Sequence, residues 1–167
     1  MRVFPIMLAA VGLALAQPAA GTAQEPARVA GFQAFLFNSK TGALSGDVLA
    51  KDGPELGNVP SGRFASVSTL VVARIEFGEQ APVPKAQVRL VATESGSMPF
   101  AASRAKAANR VILDRTSDLG PVNADGTTYV GFWLAGTGCR SLSLKASLIG
   151  LKDAVPLTGV LPFACYE

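Results

Sequence analysis

No histidine occurs anywhere in the sequence. That absence removes Ser-His-Asp and Cys-His nucleophilic sites, histidine general bases and histidine metal ligands together. Chemistry must then be sought among carboxylates and short motifs. Asp47, Asp52 and Glu55, or Glu76 and Glu79, are the residue types a carboxylate-only, glycosidase-like hydrolase uses as its acid and its base or nucleophile. Their spacing along the chain does not set two of them across a cleft, and acids in loops and at strand ends are ordinarily solvated. Ser103-Arg104-Ala105-Lys106 has the serine-lysine spacing of penicillin-recognising enzymes, and Lys40-Thr41-Gly42 matches a second motif of theirs. Here the order is reversed and no serine-asparagine element lies between them, so the match reads as chance. Asn123-Ala124-Asp125-Gly126 resembles half a calcium loop, but Pro121 stands at the first ligand position and no glutamate closes the loop. A plain turn ahead of a strand is expected there. The reading is therefore of a domain that does not catalyse, with no cofactor and no metal.

Two further groups could serve binding. Arg104, Lys106, Arg110 and Arg115 share one span opposed only by Asp114, a combination suited to an anionic surface such as lipid head groups, although a solvated face is the simpler expectation. Tyr129 and Trp133 lie on one side of a predicted strand with Gly131 between them, while Val130, Phe132 and Leu134 lie on the other. Both sides of that strand are apolar. Either it is buried on both faces, or the aromatic pair forms an exposed platform for a glycan or an envelope protein. Core packing is the expectation, since Trp and Tyr are buried on average.

The chain begins with Arg2, an apolar stretch over residues 3–16, and small residues up to Ala23. That is the order of a secretory signal, and the stretch falls short of the about 20 residues needed to span a bilayer. Residues 1–23 are expected to be a cleaved leader, leaving no transmembrane segment and a periplasmic or secreted protein. Cys139 and Cys165 are the two cysteines, and an even count in an exported chain reads as a disulfide. Such a bridge stabilises by about 3–4 kcal/mol through lost unfolded-state freedom. The net charge of +3 is small and dispersed, so nothing favours a nucleic-acid partner.

The elements that must position these groups are strands. Segments rich in β-branched and aromatic residues recur between Gly, Pro, Asn and Asp clusters, with little helical periodicity. Strands are expected near residues 30–38, 47–50, 65–77, 87–92, 110–114, 128–134, 141–148 and 155–164. The alternation is clearest over residues 141–148, where every second residue is apolar. Pro156 and Pro162 argue that the last strand is an edge strand or is locally irregular. Residues 139 and 165 lie symmetrically about Lys152, so a terminal hairpin would bring the cysteines together. A capping serine, Pro99, an alanine-rich body and Asn109 suggest one short helix or helical turn between the fourth and fifth strands. After a flexible segment over residues 24–29, residues 30–167 hold enough material for a single domain.

Residues 125–134, Gly138-Cys139 and the alternation over residues 142–148 resemble the end of immunoglobulin-like or prealbumin-like bacterial exported sandwiches. Asn38-Ser39-Lys40-Thr41-Gly42-Ala43-Leu44-Ser45 and the terminal Phe163-Ala164-Cys165-Tyr166-Glu167 are similar to segments of an uncharacterised family of proteobacterial exported proteins. The resemblance implies an antiparallel β-sandwich more than any activity. It departs from the antibody pattern in that Trp133 precedes both cysteines. The sequence as a whole points to an exported domain that binds or scaffolds. The competing expectations are the carboxylate-only hydrolase and a subunit or inhibitor docking by an exposed edge strand. The cysteine expectation is open to direct test: alkylation of the denatured, unreduced protein should label neither Cys139 nor Cys165, and two labelled thiols would contradict the bridge.

Overall fold

Alternation organises the structure. The computed structural model describes residues 27–59, 65–78, 85–94, 110–151 and 154–164. Within them lie seven strands: β1 Arg28–Leu36, β2 Ser68–Glu76, β3 Gln87–Glu94, β4 Arg110–Asp118, β5 Thr127–Ala135, β6 Leu142–Ile149 and β7 Leu157–Leu161. In β6, Leu142, Leu144, Ala146 and Leu148 are buried while Ser143 and Lys145 face water. Thr69, Val71, Ala73 and Ile75 of β2 are fully buried in the same way, as are Val88, Leu90 and Ala92 of β3. A period of two sends one side of each strand inward, so stable burial needs a second sheet opposite the first.

That second sheet is present. One sheet has the order β1-β2-β5 and the other β4-β3-β6-β7, every pairing within them antiparallel. Their inward faces form one core whose largest fully buried side chains include Phe132, Phe163, Leu36, Ile75 and Leu90. The protein is thus an all-β, two-sheet sandwich. Its strand order is the constant-type immunoglobulin order with one change: the fourth strand sits beside β3 instead of joining the sheet of β1, β2 and β5. Contact between the sheets on the β1 and β7 side depends on Gly159, because a Cβ there would come within 2.9 Å of the Phe32 ring. Phe32 of β1 lies over that gap. Deep between the strands, the hydroxyls of Thr69 and Thr137 satisfy each other at 2.8 Å, as burial of polar atoms requires.

The expected strand at residues 47–50 is a loop. It nevertheless does part of a strand's work along the free edge of β1. The Asp47 carboxylate accepts from the backbone N–H of Ala34 at 2.9 Å and of Leu49 at 3.0 Å. Ser45 Oγ accepts from Leu36 N–H at 2.9 Å, and the backbone N–H groups of Ser45 and Val48 donate to the carbonyls of Leu36 and Ala34. Side-chain oxygens replace ladder carbonyls, which is why a segment with local strand character never becomes a ladder. The last hairpin pairs Leu142 with Leu161, one residue off the frame that symmetry about Lys152 gives, and after Leu161 the chain leaves β6 so that Ala164 bridges Gly57. The leader, the expected helix over residues 97–109 and Cys165 lie outside the described residues.

One exposed ion pair joins β3 to β4. Arg89 of β3 and Asp114 of β4 meet through two contacts of 2.7 and 2.6 Å, and this hydrogen-bonded arginine holds the Asp114 carboxyl below its ordinary range. Lowering of a carboxyl pKa by a native partner means its contribution is present at neutral pH and is lost as pH falls through the depressed value. An NMR pH titration should show the Asp114 midpoint rising in Arg89→Ala. Denaturant unfolding should show Phe132→Ala losing about 3–5 kcal/mol through cavity formation. Asp47→Ala should lose about 1–3 kcal/mol, because the buried Ala34 N–H is left without its acceptor.

Candidate functional site

The outer face of the β1-β2-β5 sheet carries the most unusual surface of the described residues. The β2–β5 register is unbroken and sets Leu70 opposite Trp133, Val72 opposite Gly131 and Arg74 opposite Tyr129. On the other flank of β2, Phe35 stands opposite Leu70 and Gln33 opposite Val72. Phe35, Leu70 and Trp133 thus form one apolar row across three strands. The next row is Gln33, Val72 and Gly131, and the one after it ends in Arg74 and Tyr129.

Trp133 is 45% exposed and Tyr129 48%, which overturns the expectation that both belong to the core. The reason lies in the opposite phase of β5. Val130, Phe132 and Leu134 are all buried, and a strand that commits those residues inward must turn Tyr129 and Trp133 outward. Gly131 does not leave room for rings to pack on a facing sheet. A Cβ at that position would meet Leu70 Cδ1 at 3.3 Å, so the methyl of Leu70 covers the gap from within the same face. Phe37, just past β1, reaches across small Ser68 and meets Trp133 edge-on, with ring centroids 5.4 Å apart and planes at 66°.

Sequence reasoning missed Phe35, Phe37, Leu70 and Val72 as parts of this face. The available signal was the spacing of Phe35 and Phe37, two apart on the phase opposite Ala34 and Leu36. Charged groups close the far end of the sheet. Glu76 accepts from Arg28 at 2.9 Å and from Arg74 at 3.0 Å, so Arg74 is held by a carboxylate beside the platform.

The other sequence candidates do not assemble. Arg104 and Lys106 lie outside the described residues, and Arg110 is bound in a two-point contact to Glu94 with both distances 3.1 Å. Arg140 adds a third contact to that glutamate at 3.2 Å, whose side chain is only 8% exposed. Arg115 is exposed on β4, away from that cluster's carboxylate. Among the acids, Asp47 caps β1 and Glu76 holds two arginines, while Asp52 and Glu55 are exposed and Glu79 is outside the described residues. Lys40-Thr41-Gly42 forms a turn in which Asn38 accepts the Thr41 and Gly42 amides through its carbonyl.

Asn123-Ala124-Asp125-Gly126 is also a turn. Gly126 has φ +77° and donates to the Asn123 carbonyl at 3.0 Å. Asp125 accepts from both the hydroxyl and the amide of Thr127, and these bonds hold its carboxyl below the ordinary range. No group of three or more Cys, Asp or Glu among the described residues is arranged to hold a metal.

Two shallow depressions lie among the described residues. One, of about 580 Å³, crosses the outer face of the four-stranded sheet past Val91, Thr93, Ser143, Lys145, Thr158 and Val160. The other, of about 420 Å³, lies at one end of the sandwich beside Glu94, Arg110, Cys139 and Arg140. Neither brings two carboxylates together. Compared with known protein-family models the chain matches none, and no curated protein matches it significantly.

Because Trp133 is the single tryptophan, its fluorescence reports this face alone. Its emission should be red-shifted and readily quenched by acrylamide in the folded protein, and Trp133→Ala should change stability by no more than about 1 kcal/mol. A blue-shifted, protected emission would place the ring in the interior.

Proposed function

We propose that the protein is an exported, non-catalytic binding domain that engages an apolar surface of an envelope protein through the outer face of the β1-β2-β5 sheet. The observation that carries this reading is the row of Phe35, Leu70 and Trp133, extended by Phe37 and Val72, on the outer face of one sheet. Trp133 is exposed and the other four are partly so, and contiguous apolar surface open to water marks contact sites. Aromatic residues are favoured there because they cover much area at little conformational cost.

A glycan is the weaker choice. Stacking a sugar on Trp133 also requires hydrogen-bonding groups beside the ring, and its neighbours in the sheet are Leu70 and Phe37. The nearest charged side chain on that side of β2, Arg74, is occupied by Glu76. The missing histidine and the separated acids argue for binding over catalysis.

Export, to the periplasm or beyond the cell, rests on the charged, apolar and small-residue order of residues 1–23. A bridge between Cys139 and Cys165 fits that compartment. Such a bridge would fasten the chain entering β6 to the end of the domain.

The test is site-directed photocrosslinking in intact envelopes. A photoreactive residue at position 70 should capture a specific protein, and Trp133→Ala in the same chain should abolish that capture. The same residue at position 145, on the outer face of the opposite sheet, should capture nothing comparable. Equal products from both positions, or none from position 70, would overturn the reading.

A further inference from the structure

The two sheets have four outer edges, and three are defended. The β1 edge is capped by Ser45, Asp47 and Val48. The β4 edge carries Arg110, Asp114, Arg115 and Asp118 and faces a register shift at Ala92/Thr93 of β3. The β7 edge has only five residues and lies between Pro156 and Pro162. Charges, bulges, prolines, short strands and covering loops are the recognised means of preventing strands from adding to an edge.

Among the described residues the β5 edge is covered only at its first residue, Thr127, by the turn that carries Asn123 and Asp125. It runs for nine residues, Thr-Thr-Tyr-Val-Gly-Phe-Trp-Leu-Ala, without a charge or a proline and with no register shift against β2. Its hydrogen-bonding groups are oriented for pairing. The Phe77 amide bonds the Gly126 carbonyl, whereas both backbone groups of Thr127 turn the other way, to Asn123 and Asp125. Continued along the strand, this alternation gives the even-numbered residues of β5 to β2 and aims the N–H and C=O of Tyr129, Gly131 and Trp133 at the open side. Among the described residues nothing hydrogen-bonds them there.

We propose that this edge pairs with the β5 edge of a second copy of the chain, antiparallel and centred on Gly131, to make a continuous six-stranded sheet. Three features select a second copy over a foreign strand. An uncharged strand meets itself without like-charge repulsion and offers no charge by which a charged partner would be chosen. Tyr129 and Trp133 stand two residues either side of Gly131, so a two-fold axis at Gly131 places each Tyr129 opposite the other copy's Trp133. Within the span from Tyr129 to Trp133 the residues brought opposite in that frame are the ones whose N–H and C=O face the open side, so the frame satisfies them pairwise, and Thr127, bonded to Asn123 and Asp125, stays outside the paired span. The contact is isologous, and the outer aromatic faces of the two copies become one surface.

Sedimentation velocity of the wild-type protein across a concentration series should show a monomer–dimer equilibrium. Gly131→Lys and Gly131→Glu each put like charges face to face on the axis and should lose the dimer. An equimolar mixture of the two variants should regain it as a heterodimer. A Cβ at position 131 meets only the movable end of Leu70, and circular dichroism checks that each variant is folded. Independently of any variant, hydrogen exchange of the wild-type amides of Tyr129, Gly131 and Trp133 should slow as protein concentration rises, while amides on the β4 edge do not change. A wild-type protein that stays monomeric with concentration-independent exchange, or a dimer indifferent to both variants, would overturn the proposal. So would a mixture of the two variants that stays monomeric.

Discussion

Everything distinctive about this protein depends on the pairing of β2 with β5 in a single unbroken register. In a strand, neighbouring residues point to opposite faces, so a slip of one residue would exchange the core for the surface along its whole length. With Val71 opposite Phe132 and Leu70 opposite Trp133, the fully buried ring and the half-exposed ring are adjacent in sequence and opposite in fate. Burial of Phe132, Val130 and Leu134 against the facing sheet is the larger effect, since each fully buried large apolar side chain contributes about 1.5–3 kcal/mol. Exposure of Tyr129 and Trp133 follows from that preference.

The same accounting of backbone groups explains how the sandwich treats its margins. A free strand edge is an unsatisfied row of donors and acceptors, and the chain answers it differently at each edge. Along β1 it uses the side chains of Ser45 and Asp47 in place of a neighbouring strand. Along β4 it uses charge, with Arg110 and Asp114 each held by a residue of β3. Exposed ion pairs of the Arg89–Asp114 kind add little stability, and their presence at an edge is better understood as a barrier to further pairing. Against that background, the uncharged β5 edge beside the aromatic face is the conspicuous exception.

Much of the architecture was legible from local pattern. The alternation over residues 142–148 gave β6 with its correct inward face, and the prolines around β7 marked an edge strand because proline cannot donate to a ladder. Other features were hidden for physical reasons. Asp47 belongs to a segment that satisfies β1 through a carboxylate, and hydrogen bonding from a side chain leaves no periodic trace in sequence. For β5 the pattern itself was silent, because both of its phases are apolar and aromatic residues with polar tips suit either environment. Only long-range partners decide that case: Phe35 and Leu70 extend the outer row, and they lie far from Trp133 in sequence. The terminal hairpin failed for a related reason, since symmetry about Lys152 fixes a frame only when the turn is regular.

The central claim is the β2–β5 register, and cross-strand proton contacts measure it directly. Leu70–Trp133, Val72–Gly131 and Arg74–Tyr129 are the pairs that do not exchange backbone hydrogen bonds, so their α-carbons approach to about 4.5 Å. NMR of the folded protein should therefore show strong Hα–Hα nuclear Overhauser effects within these three pairs. Strong effects linking Leu70 to Phe132 or to Leu134 instead would mean a register one residue away, with Phe132 on the surface and Trp133 in the core, and would contradict the account.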